Sequence, residues 1–101
     1  MRERVAGFDW DVGNRAKCEK HGVSVAEIEG LFSRPVFIIP EVIHSRGEER
    51  RKAIGKTANG RPVFLVFTVR ERAGKHLIRP VSARYMHRKE IEHYEKENPD
   101  L

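Results

Sequence analysis

The chain has 101 residues, 39% of them apolar and 35% charged, which provides for one domain with one modest core and leaves no room for a second catalytic unit or an elaborate cofactor fold. Its single cysteine, Cys18, excludes an intramolecular disulfide framework and any cysteine-built zinc or iron–sulfur site. Lys and Arg number 20 against 15 Asp and Glu, a net charge of +5 that suits a polyanionic partner and equally suits plain solubility.

The charge is uneven along the chain. Residues 87–101 carry Arg88, Lys89 and Lys96 against Glu90, Glu92, Glu95, Glu97 and Asp100, a net of −2, so the first 86 residues hold +7. A polyanion-binding face is therefore expected on the body of the fold. The opening MRERVAGFDWD lacks the apolar stretch of a signal peptide, and the longest apolar run, Val63 to Val69, is far too short for a membrane span. A cytoplasmic location is expected.

Val5 to Trp10 reads as a short first strand. Asp11 is a candidate N-cap for a helix ending at His21-Gly22, where glycine takes the left-handed conformation. The next helix start is clearer. Ser24 and Glu27 have capping-box spacing, Val23 and Ile28 the spacing of a hydrophobic staple, and Val25, Ile28, Leu31 and Phe32 share one face until Ser33-Arg34-Pro35.

From residue 36 the pattern becomes extended. Val36 to Ile39 predicts a strand that Pro40 restricts to an edge or an end, and Glu49 to Thr57 a charged strand whose one large aliphatic is Ile54. Asn59-Gly60 predicts a tight hairpin into Arg61 to Arg70, where PVFLVFTV is apolar on both faces and reads as a central strand. Arg72-Ala73-Gly74-Lys75 turns the chain into His76 to Arg84, with Pro80 marking an edge or a bulge. A last helix runs from about His87 to Glu97, stopped by Asn98-Pro99. The order β-α-α-β-β-β-β-α defines an α+β fold: an antiparallel sheet with two N-terminal helices and one C-terminal helix.

No metal motif, calcium loop or Walker pattern is present, and no metal ligand set or cofactor is expected. The arginines are more informative, since a guanidinium fork matches a phosphate and stays charged at every working pH. Arg70 and Arg84 close two adjacent predicted strands. In simple hairpin register they fall at opposite ends, with Arg84 near Arg61 or Pro62, so a shared site needs a bend at Pro80, inward-reaching side chains or another register. Both also read as ordinary strand-end residues. The run Glu48-Glu49-Arg50-Arg51-Lys52 mixes a carboxylate base with three cations, or is an alternating strand edge. His21 titrates near neutrality and equally suits its helix-terminal position. Trp10 reads as a core anchor ahead of a base-stacking platform, and Cys18 as packing.

Trp10-Asp11, Lys20-His21-Gly22-Val23-Ser24, His44-Ser45, Glu48-Glu49-Arg50, Ile54-Gly55, Gly60-Arg61, Val66-Phe67-Thr68-Val69-Arg70 and Ser82-Ala83-Arg84, in this order, closely resemble the BrnT family. The likeness runs from Phe8 to Tyr94 and departs from the usual family pattern, lysine and asparagine, at Asn14 and Cys18. The resemblance implies a small RelE-like ribonuclease domain, the toxin of a type II toxin-antitoxin system, cleaving RNA without a metal to a 2′,3′-cyclic phosphate and a 5′-hydroxyl and so inhibiting translation and growth. It further implies Arg70 and Arg84 as stabilisers of phosphate charge, Glu49 as base with His21 as the acid/base alternative, and Lys20, Arg50 and Trp10 as contacts to RNA. The implied partners are RNA, a ribbon-helix-helix antitoxin of BrnA type and, through that antitoxin, promoter DNA. Two alternatives from other classes share these features: a partner-binding co-repressor module without ribonuclease activity, and a simple RNA-binding domain.

Overall fold

The computed structural model describes residues 5–39, 42–45 and 47–97. Pro40 and Asn98-Pro99, read above as strand and helix stops, lie outside the described residues. The elements are β1 (Val5–Phe8), α1 (Val12–Glu19), α2 (Val25–Leu31), β2 (Phe37–Ile38), β3 (Ile43–Ser45), β4 (Glu48–Lys56), β5 (Pro62–Arg72), β6 (Lys75–Tyr85) and α3 (Arg88–Glu97). The sheet order is β1-β6-β5-β4-β2, and β3 pairs with β4 beside β2. The fold is α+β, but the sheet is mixed, not antiparallel: β1 runs parallel to β6 through Val5↔His76 and Phe8↔Ile78. Two helices and four strands separate those partners in the chain, so no local turn dictates their direction.

Both N-terminal helices begin as their residues require. Asp11 accepts from Asn14 N while Asn14 Oδ1 accepts from Asp11 N, and Ser24 and Glu27 make the same reciprocal pair. Gly22, at φ +89°, turns the chain out of α1. Cys18 of α1, Val23 of the connection, and Ile28 and Leu31 of α2 pack with Val63, Leu65, Phe67, Ile78 and Ala83 of the sheet, each large side chain contributing about 1.5–3 kcal/mol. Phe8, Phe32 and Phe67 stack edge to face at 5.8 Å spacings. Burial pushes the Cys18 thiol up to about 11, as its packing role requires. Gly55 lets α2 approach β4 closely, since a Cβ there would stand 3.1 Å from Val36 Cγ1 and 3.3 Å from Leu31 Cδ2.

The two hairpins turn at opposite ends of β5. The Asn59-Gly60 turn is closed by Thr57 N to Arg61 O and Gly60 N to Thr57 O, with Gly60 at φ +82°. The second hairpin turns on Ala73 (φ +52°) and Gly74 (φ +76°) between paired Arg72 and Lys75, the two positive values of a type I′ turn. Pro80 sits at a bulge opposite Val66/Phe67, just past the last β1 pairing, where its missing N–H costs no ladder bond. Tyr94 of α3 meets Phe37 at 5.9 Å, on the sheet face carrying Ile54 and Phe64.

β4 and β5 pair from Lys56↔Pro62 as far as Arg51↔Phe67 and no further. Beyond that point Glu48 to Arg50 of β4 pair with β3, while β5 continues to Arg72 beside β6. The sheet forks there.

Candidate functional site: a polar fork between two strands

The fork opens the backbone between β4 and β5 and brings side chains together that a continuous ladder would separate. On one side lies a cleft of about 220 Å³ lined by Gly13, Asn14, Lys17, Glu48, Arg50, Arg70, Arg79 and Val81. Four cations and one carboxylate converge there. Arg70 Nη2 donates to Glu48 Oε1 at 2.7 Å. Arg79 donates to Asp11 Oδ2 at 2.8 Å and stands 3.6 Å from Asp9 Oδ2, which also receives Arg72 at 3.3 Å. Arg50 has no ion pair among the described residues.

Among the described residues three buried polar atoms around this fork have no hydrogen-bond partner: Arg50 Nε and Arg70 Nε, in the cleft, and Thr68 Oγ1. An unpaired buried donor costs about 1–3 kcal/mol, so the two arginine donors in one cleft mark a site built to receive acceptor atoms, and their guanidinium forks make an anion the fitting guest.

Asn14 braces the cleft wall. It is 5% exposed, and its amide donates to both Asp9 O and Pro80 O at 2.9 Å, tying the end of β1 and the β6 bulge to the start of α1. Asp11, held below the usual carboxylate range by the Asn14 N–H and by Arg79, links that brace to Arg79.

The residues singled out from the sequence divide. Arg50 and Arg70 meet in the cleft. Glu49 does not line it; this carboxylate stands opposite His44 of β3, 3.6 Å from Arg51, and Glu48 fills the place beside the arginines. The structure does not bring Arg84 to Arg70: Arg84 lies opposite Phe64 and Arg70 opposite Leu77, six β5 positions or about 20 Å apart. The Pro80 bulge shifts the register by one residue and leaves that separation intact. Arg84 makes a bidentate pair with Glu90 at 2.7 and 2.8 Å above the Phe64 ring, which tethers α3. Lys20 and His21 are exposed at the far end of α1, near Tyr85, whose hydroxyl donates to Glu27 Oε1 at 2.7 Å. Trp10 packs against the core and donates from Nε1 to Glu29 at 2.9 Å, the anchor role.

Sequence reasoning missed Lys17, Thr68, Arg79 and the brace at Asn14. Arg79 did leave a signal, a cation between Ile78 and Pro80 inside a largely apolar strand.

A small α+β domain with an arginine-lined, anion-accepting cleft at a fork of its sheet is the class defined by these features. The chain belongs to the BrnT family: the family described as "Ribonuclease toxin, BrnT, of type II toxin-antitoxin system" matches residues 10–90, a span that contains every residue of the cleft. No curated protein matches it.

Proposed function

We propose that the chain is a RelE-like endoribonuclease toxin that cleaves RNA without a metal in the fork cleft, and so inhibits translation and growth. The observation that carries this reading is the pair of buried donors, Arg50 Nε and Arg70 Nε, which have no partner among the described residues and belong to two arginines lining one cleft, where a phosphodiester would supply acceptors. The RNA phosphate competes with Glu48 for the Arg70 fork and releases the carboxylate. Glu48 takes the proton of the ribose 2′-hydroxyl, whose oxygen attacks the adjacent phosphorus. The P–O5′ bond breaks, the 5′-oxygen takes a proton from solvent, and the products are a 2′,3′-cyclic phosphate and a 5′-hydroxyl. Arg50 and Arg70 hold the charge that builds on the phosphorane, the role in which fixed donors contribute most. Lys17 and Arg79 extend the positive field along the incoming strand.

The family's type II setting supports a cognate antitoxin as resting partner, of ribbon-helix-helix type, through which the complex reaches promoter DNA. The cytoplasm is the proposed location.

The test is cleavage of end-labelled RNA by the free chain in EDTA. Arg50→Ala and Arg70→Ala each lower the rate about 10²–10³-fold with the fold retained by circular dichroism, whereas Arg84→Ala retains cleavage. Full activity in a folded Arg50→Ala/Arg70→Ala double variant overturns the site. Absence of wild-type cleavage on naked RNA and on translating ribosomes leaves the partner-binding co-repressor reading in its place.

A further inference from the structure

The fork has a second side. A pocket of about 390 Å³ adjoins the basic cleft, and Glu48 lines both. Its other walls differ sharply in chemistry from the arginine side: Glu49, Glu71 and His76, with Arg51 at the rim and Val69 as apolar floor. Glu71 and His76 stand directly opposite each other on β5 and β6. Glu49 lies near Arg51 and Glu48 is held by Arg70, but Glu71 has no ion pair among the described residues. Thr68, which lines this pocket, is 2% exposed, and its hydroxyl has no partner among the described residues.

An anion does not belong among three carboxylates. A planar group rich in N–H donors, with one acceptor for the Thr68 hydroxyl and faces that pack on Val69 and His76, does. A nucleobase has that form, and its neighbour in the chain is the phosphate that the adjoining cleft accepts. Among the four bases guanine presents two adjacent donors, N1–H and N2–H, to a single carboxylate, with the O6 acceptor beside them. Uracil instead turns its carbonyl oxygens toward the glutamates.

We infer that this pocket is a base subsite selective for guanine, in which Glu71 accepts from N1–H and N2–H and Thr68 donates to O6, on the nucleotide next to the phosphate held by Arg50 and Arg70. The inference rests on the proposed RNA-cleaving role of the cleft. Single-stranded RNA is read in this way, through splayed bases hydrogen-bonded on their edges and stacked on side chains such as histidine.

The test uses short 2′-deoxy oligonucleotides, which lack the nucleophile and stay intact, identical except for G, A, C, U or hypoxanthine at one position. Their affinities for the full chain are measured beside cleavage of the matching RNAs. The G probe binds about tenfold or more tighter than the U probe, hypoxanthine, lacking the N2 amine, falls between them, and exposed Glu71→Ala brings G down toward U. Equal affinity for all the probes, or a G preference that survives Glu71→Ala, overturns the subsite. The two readings fail separately: a chain that cleaves no RNA yet prefers G retains the base subsite and loses the ribonuclease, while efficient cleavage without base preference does the reverse.

Discussion

Asn14 satisfies three backbone groups from three elements with one amide. Its Nδ2 serves Asp9 O and Pro80 O, and its Oδ1 serves Asp11 N. No alanine, leucine or aspartate can do the same, because the site asks for two donors and one acceptor on a buried side chain. Asn14→Ala is expected to lower unfolding free energy in urea by about 2–3 kcal/mol, the cost of leaving such groups unpaired, and a loss below about 0.5 kcal/mol, the range of an ordinary surface change, would remove Asn14 as the brace. Asn14 is therefore a structural element of this chain.

Arg84 and Glu90 give the residue scale its pH dependence. The Arg84 guanidinium, helped by the His87 N–H, lowers the Glu90 carboxyl from 4.5 to about 2. A carboxylate whose pKa falls on folding stabilises the fold above its unfolded value and loses that contribution as pH falls through the folded one. The pair is more than a third exposed, so solvent screening keeps the effect modest. Asp11 and Glu27, also held low, act in the same sense. Thermal unfolding of the wild type should therefore weaken as pH drops from 4.5 toward 2, and Glu90→Gln should show a shallower fall. Parallel curves for the two proteins would refute the linkage.

At the level of elements, the turn between β5 and β6 carries an avoidable strain. Ala73 holds φ +52° beside Gly74 at +76°, a left-handed position that costs an L-residue with a Cβ about 1–2 kcal/mol and that asparagine tolerates better. Ala73→Asn should raise stability by about 0.5–1 kcal/mol, read as a higher urea midpoint at unchanged slope, and no change would mean that the turn frays before the fold melts. This turn, the Asn59-Gly60 turn and both capped helices were legible in the sequence because their causes lie within four residues of each other. The parallel pairing of β1 was not, since His76 lies far along the chain from Val5 and hydrophobic alternation carries no direction. β3 was missed because three residues are too few to show a period. The charged run Glu48 to Lys52 was visible as a strand, yet alternation alone does not show that its first half leaves β5. That divergence decides which carboxylate faces the arginines, and it is why Glu48 stands beside Arg70 while Glu49 stands opposite His44.

For the whole molecule, the excess of positive charge on the first 86 residues becomes a local quantity once the ion pairs are assigned. Arg15, Arg72, Arg79, Arg84 and Arg88 all face carboxylates, so their charge is largely neutralised within the fold. Among the described residues Arg50 has no ion pair, and Arg70 pairs with Glu48, the group that the proposed mechanism displaces. Net charge alone therefore overstates the charge free to meet a polyanion, and the fork is the proposed RNA-binding face. Counterion release makes this measurable, because the logarithm of affinity for single-stranded RNA falls against the logarithm of salt concentration with a slope of about −0.7 per phosphate neutralised. With an uncleavable oligonucleotide, the Arg50→Ala/Arg70→Ala variant should have a slope shallower than wild type by about 1.4. Arg84→Ala, which removes the same charge type from the other end of the sheet, should leave the slope unchanged. Equal slopes in wild type and the double variant would move the polyanion face away from the fork, and a shallower slope in Arg84→Ala would extend it across the sheet toward α3.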